Sequence, residues 1–488
     1  MGLCDKPGMT FRLALLTCFT LSCATTPPPP TPAPAGVEKY ANAIDWTKAG
    51  DETTQVLSGY LQVDTFNPPG NETRGAQYLA DLLAKDGITS EVIEFAPGRS
   101  NLIARLPATG APKQKPLCLL SHIDVVPAEL EAWPKETGPL SGAVDANGDV
   151  WGRGALDMKG MGIVEAMTLV WLKRASVPLN RDVILLAVGD EEVDNLGMKH
   201  LVEHDWSRLD CAELVNEGGL GVKNLLFEGQ TVFAVSVAEK GALWLRMKAN
   251  GEAGHGSTPV PQRAPTRLIE AMKAVSGRQP PPQIHAALYE LLRRIGEQKG
   301  GVTGFILQRP TLVNWFVTGK LMAKPPTRAG ITNTCQVTGF DGKGSAPNVI
   351  PSQVAAIIDC RLLPGTTPEQ LLAELKELTK DIEGIEFEVS NGDAANESTW
   401  EDPFFDALAR HAVGTRTDAV AGPVLSPGYT DSLLARPKGT RAYGMVPFEV
   451  TQEELATMHG RNERVSKQNL TRGLEVLFRA VVDVSATP

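Results

Sequence analysis

From about residue 50 the chain alternates helix-length segments with short apolar runs: PLCLL (116–120), DVILLAV (182–188) and CAELV (211–215). Runs of this kind, separated by segments such as GIVEAMTLVWLKRA, predict parallel strands buried on both faces. The expected class is α/β, a mainly parallel twisted sheet flanked by helices. Near residue 238 the pattern changes to alternation, as in ALWLRMKANGE and later PSQVAAIIDCRLLPG, joined by a helix at TPEQLLAELKELTKDI and a strand at IEFEVS. That order of elements predicts an inserted α+β unit, an antiparallel sheet with helices on one face. After NGD the helix and strand pattern returns and ends in SKQNLTRGLEVLFRAVVDV, an amphipathic helix with Ser466 as its N-cap. The expected division is 40–237 and 393–488 for the larger domain, with 238–392 inserted. Residues 278–330 fit this scheme least well.

Composition adds limits. A chain of 488 residues with 42% apolar positions is long enough for more than one core. Its net charge of -10, from 47 basic and 57 acidic residues, argues against a general nucleic-acid binder, because phosphate binding relies on clustered Lys and Arg. Small molecules or short peptides are the expected partners.

The first forty residues read as targeting. Arg12 precedes LALLTCFTLSCA, an apolar segment too short to span a bilayer, and ATTPPPPTPAPAG follows. We expect a signal peptide over 1–23 and a Pro-rich tether over 24–39, which places the globular part outside the cytoplasm, periplasmic, membrane-anchored or secreted. Cys23, after Ser22, is a candidate lipid attachment point, although Thr20 stands where lipoprotein signals usually carry Leu; simple cleavage or an uncleaved anchor are the alternatives. Of the other cysteines, Cys118, Cys211, Cys335 and Cys360 fit no tight spacing. Buried free thiols are expected, with neither a disulfide nor a Cys-zinc site.

Three apolar runs end in potential metal ligands: the first in His122 and Asp124, the second in Glu191 and Glu192, the third in Asn216 and Glu217. Ligand crevices of open α/β sheets lie at the carboxyl ends of the strands, so these ends can converge. WGRGALDMKGMG adds Asp157 in a glycine-rich loop, and MHGRNERV adds His459. Each residue alone has an ordinary reading, a helix cap or a solvated acid; together they point to a metal site. Imidazole and carboxylate donors without cysteine suit zinc, manganese or cobalt, and a group this large suits two ions. His122 and Asp124, two apart in an extended chain, face the same way, so Asp124 is expected to hydrogen-bond the far ring nitrogen of His122. A second zinc-like pattern, HLVEH at 200–204, matches the inverted zincin motif, but its histidines fall in a polar segment past the strand end and read as a solvated helix face.

SHIDVVP, GDVWGRGALDMKG, GDEEVDNLG, NEGG, AGHGSTP, NVIPS with IDCRLLPG, GYTDS and MHGRNERV, in that order, resemble the di-zinc metallopeptidase family of aminoacylases, succinyl-diaminopimelate desuccinylase and carboxypeptidases G and S. The likeness covers nearly all of residues 50–480. NPPGNE and the NEGG and HGRNERV forms look closest to the carboxypeptidase S branch, which includes secreted N-acyl-amino-acid hydrolases.

The resemblance implies two zinc ions, with cobalt or manganese as alternatives. It implies His122, Asp157, Glu192, Glu217 and His459 as ligands, Asp157 bridging through a cis peptide before Met158, and Glu191 as general base. Relatives tend to read DEGG where this chain has NEGG, so a ligand at the first position would cost the site a charge; Glu217 is the ligand expected here. The inserted domain is implied to act as a lid and dimerisation unit. His255 would reach the active site of a partner subunit in a homodimer, Asn333 and Arg361 would bind a substrate carboxylate, and Gly428 and Asp431 would lie near the substrate. The implied activity is amide hydrolysis of an N-acyl amino acid or a short peptide with a free C-terminal carboxylate. The alternatives are a desuccinylase or deacetylase type of deacylase, and a binding homologue that has lost catalysis.

Overall fold

The computed structural model describes residues 34–258, 262–341 and 346–487. The expected signal peptide, Cys23 and the tether up to residue 33 lie outside the described residues. The rest of the expected tether is partly helical. α1 (Ala35–Ala41) buries Val37, and its Glu38 pairs with Arg479 at 2.9 Å, so the globular body begins some residues earlier than the proline content suggests.

The main sheet is built from β1 (Ser90–Ala96), β2 (Arg99–Leu106), β3 (Leu117–His122), β4 (Val183–Val188), β5 (Glu213–Lys223) and β6 (Thr231–Glu239), joined later in the chain. β3 and β4 are buried at every position, in keeping with the apolar runs 117–120 and 183–188 that they contain. β7 (Gly241–Asn250), β8 (Thr334–Asp341), β9 (Gln353–Leu362) and β10 (Ile385–Asp393) form a separate sheet in the order β8-β9-β7-β10. Finally β11 (Ala419–Ser426) and β12 (Arg441–Val450) return to the main sheet, whose order is β1-β2-β4-β3-β5-β12-β6, with β11 on β6. The central pairs β4–β3, β3–β5, β5–β12 and β6–β11 are parallel, and the β1–β2–β4 edge is antiparallel.

Helices cover the main sheet: α2 (Trp46–Leu61), α3 (Glu72–Ala84) and α4 (Lys159–Arg174), with α4 buried almost all round. The second sheet is antiparallel throughout. β7 and β9 alternate buried and half-buried positions, and the buried face packs against α5 (Ala264–Ser276). The poorly fitting stretch is helical: α6 (Ala286–Lys299), α7 (Gly301–Leu307), α8 (Pro310–Phe316), α9 (Thr318–Ala323) and α10 (Pro325–Ala329). It does not cover the second sheet. Leu291, Leu292, Ile295, Leu307 and Val313 pack with Val232 and Val420 of the main sheet instead. α11 (Pro368–Thr379), opened by a Thr367–Gln370 capping box, completes the cover of the second sheet, and α12 (Pro403–Val413) and α13 (Lys467–Ser485) that of the main sheet. Ser466 caps α13 as expected, accepting from the Asn469 amide at 3.1 Å.

The cysteine expectation is overturned. Cys118 is bonded to Cys211 and Cys335 to Cys360. Their separations of 93 and 25 residues hide the pairing in the sequence. Sheet register creates it: β3 lies beside β5, whose entry carries Cys211, and Cys335 stands opposite Cys360 in the β8–β9 ladder.

Candidate active site

His122 ends β3, Glu191 and Glu192 follow β4, and Glu217 lies within β5, so two strand ends and the middle of a third strand deliver donors to one place. Asp157 arrives from the loop before α4, after a cis peptide to Met158, and His459 from a turn before α13 with φ of +55°. Asp157 stands at the centre. Its Oδ1 is 3.2 Å from His122 Nε2, and its Oδ2 is 3.0 Å from His459 Nε2. Glu217 approaches His122 Nε2 at 3.7 Å, and Glu192 approaches His459 Nε2 at 3.3 Å. One carboxylate therefore faces two imidazole–glutamate pairs, one on each oxygen. Glu191 joins the His122 side: donor atoms of His122, Glu191 and Glu217 lie within 4.8 Å of one another, as do those of His122, Asp157 and Glu192.

The electrostatics is that of a cluster short of positive charge. Burial, then the neighbouring Glu217, pushes Glu191 well above the ordinary carboxylate range; burial, then Asp157, does the same to Glu217. His459 is raised to about 10 by its hydrogen bonds with Asp157 and Glu192. Burial opposes a charged His122, yet Asp157, Glu217 and Glu191 still lift it well above 6.5. Burial also opposes the charge on Asp157, but the two imidazoles hold it below the usual range. Glu192 Oε1 is buried, and the His459 ring nitrogen, 3.3 Å away, is the group that approaches it. Four acids crowded around two imidazoles are what a divalent-cation site presents, since cations would relieve the repulsion among the buried carboxylates.

The supports of this cluster were mostly illegible in the sequence. His122 Nδ1 bonds the backbone carbonyl of Asp124 at 2.8 Å, which fixes Nε2 toward the cluster; the Asp124 carboxylate, expected in that role, is 3.8 Å away. It accepts instead from the backbone amides of Glu191 (3.1 Å) and Glu192 (3.2 Å), holding the turn that presents them. Asn67, in NPPG, donates to both Asp124 (2.8 Å) and Asp190 (2.9 Å), and Arg99 donates to Asp190 at 2.7 Å and to Glu72. Asp190, first of the three adjacent acids, is thus a brace with φ of +72°. Glu463 accepts from the amides of Leu156 (2.8 Å) and Asp157 (3.1 Å) and pairs with Arg153 at 2.6 Å. Glu463 stood in the quoted MHGRNERV, but nothing in its spacing marked it as the anchor of a loop 306 residues earlier.

Asn216 points away from the donors, toward Thr430 (3.3 Å) and Ser432 (3.2 Å). The two glycines after Glu217 allow a bulge in β5: a side chain at Gly219 would collide with the carbonyl oxygens of Ala234 and Gly444.

A cleft of about 790 Å³ opens beside the cluster. Asp157, Glu191, Glu192, Glu217 and His459 line one end, and Leu220, Val222, Val424, Val446, Leu455 and Met458 give it apolar walls. Arg361 of β9 and Trp244 of β7 reach it from the second sheet, and Gly428 lines it as well. Arg361 Nε is held by Asp359 at 2.9 Å, while its Nη1 has no hydrogen bond among the described residues. Asp431 lies buried beside the cluster, bonded by Asn195 at 3.0 Å and raised to about 7 chiefly by burial. Two candidates are not brought in. Asn333 spends its amide on Thr366 (3.0 Å) and the Leu363 N–H (2.6 Å). His255 lies outside the cleft, paired with Asn348 at 3.3 Å and Ser257 at 2.6 Å. His200 and His204 of HLVEH stack on each other, ring centroids 4.4 Å apart, away from the cluster.

A mainly parallel sheet whose strand ends collect imidazole and carboxylate donors, with a second sheet contributing to the cleft, defines a metal-dependent hydrolase. The model of peptidase family M20/M25/M40 matches residues 118–483, and the chain belongs to that family. It is 29% identical to the human N-fatty-acyl-amino acid synthase/hydrolase PM20D1 over 384 residues, covering 76% of this chain and 74% of that one. It is 24% identical to rat aminoacylase-1A over 435 residues, 88% and 94% of the two chains. Among solved structures it superimposes on a metallo-carboxypeptidase of the M20 family from Sulfolobus solfataricus with a TM-score of 0.67 at 19% identity, covering 89% of this chain and all of that one. Human carnosine dipeptidase 1 gives 0.65 at 15%, over 93% and 99%. The chain is a metallo-hydrolase of the aminoacylase and dipeptidase type.

Proposed function

We propose that the chain hydrolyses the amide bond of N-acyl amino acids or short peptides that end in a free carboxylate, using two zinc ions. The observation that carries this reading is Asp157, with one imidazole–glutamate pair on each of its oxygens. His122, Glu217 and Asp157 would hold one ion; Asp157, Glu192 and His459 the other. Bound there, the ions would supply Lewis acidity that polarises the scissile carbonyl and acidifies water. Glu191, buried and raised in pKa, takes a proton from the attacking water and passes it to the leaving amine. Arg361 receives the substrate carboxylate, exchanging part of its hold on Asp359 for a charge-assisted pair. The aliphatic walls of the cleft accept an acyl chain or an apolar side chain, in keeping with the fatty-acyl substrates named for the human relative.

We also place the protein outside the cytoplasm, held by lipid at Cys23 or released by cleavage, and assign His255 to the site of a second copy in a homodimer. The two disulfides support an oxidising compartment.

The test is an assay of N-acyl amino acids and dipeptides beside their C-terminal amides, with and without chelator. Activity should vanish with chelator and return with zinc. Arg361→Ala should lower kcat/KM on the free acids by about 10–100-fold, the worth of a hydrogen bond to a charged group, and leave the amides nearly unaffected. Equal losses on acids and amides would remove Arg361 from substrate selection, and chelator-indifferent turnover would remove the metal.

A prediction attaches to the anchor of Asp157. Glu463→Ala frees the Leu156 and Asp157 amides and leaves Arg153 buried without its partner. Competition with a chromogenic chelator should show metal affinity weakened by about 10–100-fold, the usual effect of losing a support behind the ligands. Unchanged affinity would mean that the loop holds its shape without Glu463.

A further inference from the structure

Between Glu297 and Asp341 the sequence has no acidic residue, yet it carries Lys299, Arg309, Lys320, Lys324 and Arg328. In a chain of net charge -10, this is a local excess of five positive charges. None of the five is within ion-pair distance of a carboxylate among the described residues. The same helices expose large apolar groups: Val302 is 78% exposed, Trp315 74%, Phe316 58% and Phe305 54%.

These exposures are not a loose fold. Leu307, Val313 and Leu321 are buried on the inner side of α7, α8 and α9, so the aromatic side faces outward from a packed base. The two chemistries are interleaved. Val302, Phe305 and Arg309 follow one another at helical spacing, and the Arg309 guanidinium lies 3.7 Å from the Phe305 ring. Lys320 stands one turn beyond Phe316, where Leu321 N continues the helical bonding to Val317. Aromatic side chains among unpaired Lys and Arg on short amphipathic helices match a bilayer interface, where rings sit at headgroup level and cations meet anionic lipid.

We propose that residues 299–328 form a docking surface for an anionic lipid bilayer. No described helix is long and apolar enough to cross a membrane, so the contact is peripheral. A second copy of the chain is the less suitable occupant: in a two-fold pair this patch would meet itself, five positive charges against five. Val424 packs against the cluster beneath these helices and also lines the cleft, so the docked face stands behind one wall of that cleft. The proposal does not depend on the substrate reading above.

The full chain is compared with two variants by flotation on vesicles of phosphatidylcholine alone and mixed with phosphatidylglycerol. One variant is Phe305→Ser with Trp315→Ser and Phe316→Ser; the other is Lys320→Gln with Lys324→Gln and Arg328→Gln. Every protein carries the same N-terminal region, so its contribution is common to all. The parent should prefer the anionic vesicles, and each variant should lose at least about tenfold in binding to them, since each surface cation contributes several-fold and the inserted rings contribute through their buried apolar area. Trp315→Phe, which keeps the packing, should abolish part of the fluorescence quenching by brominated lipid and so reads the contact independently of any folding defect. Equal flotation of the parent and both variants, or quenching indifferent to Trp315→Phe, overturns the proposal. So does unchanged flotation accompanied by a loss of self-association in sedimentation velocity, which would make the patch an interface between copies.

Discussion

Replacing Glu191 with Gln should lower kcat by about 10²–10⁴-fold, the contribution of a positioned general base and acid, and leave two ions bound per chain. The substitution keeps size and packing and removes only the ability to accept a proton. Two features make the effect large. Glu191 is buried, and burial raises its pKa, which favours its taking up a proton. It is also held in place from behind: the Asp124 carboxylate accepts its backbone amide at 3.1 Å, and Asn67 steadies Asp124. Geometry alone also lets Glu191 act as a ligand beside His122 and Glu217. Metal content measured with kcat separates the two roles. Two ions with little turnover identify the base; the loss of one ion would make Glu191 a ligand and send the search for a base elsewhere.

Asp157→Ala should empty both halves of the site. Each imidazole–glutamate pair now shares one carboxylate, so a single substitution takes a donor from both. Elemental analysis after gel filtration should find close to no metal, where His459→Ala should still retain one ion. Retention of one ion by Asp157→Ala would mean that the halves are independent. The pH dependence follows from the same contacts. His459 without metal keeps its proton up to about pH 10, and an ion can bind only the neutral ring. Metal affinity therefore rises with pH through the neutral range and falls as acid restores the proton, by about tenfold per unit for each proton displaced.

The donors themselves were legible because ligand chemistry constrains residue type and because strand ends are easy to find. The apolar runs of β3 and β4 are plain in the sequence, and His122, Glu191 and Glu192 come shortly after them. What was hidden depends on distance through space. Asp190 looked like one more acid in a row of three, yet its partners, Asn67 and Arg99, stand 123 and 91 residues away in the sequence. For Asp124 the spacing was right and the atom wrong: the carbonyl holds His122, and the carboxylate holds the next turn. The cysteines failed for the same reason, since strand order decides which thiols are neighbours. HLVEH shows the converse. A motif can be complete in sequence and still face only itself, as His200 and His204 do.

Glu463 and His459 belong to one short segment near the end of the chain, and both act on Asp157, one through backbone amides behind it and one through its carboxylate in front. Synthesis therefore makes the catalytic centre in two instalments. A nascent chain that has finished β5 already contains His122, Asp157, Glu191, Glu192 and Glu217, but the loop bearing Asp157 has no anchor and the second imidazole does not yet exist. Fragments ending before residue 459 should therefore bind metal at this cluster more weakly than the full chain, as equilibrium dialysis would read. The last turn before α13 therefore supplies both the final donor and the final anchor of the Asp157 loop.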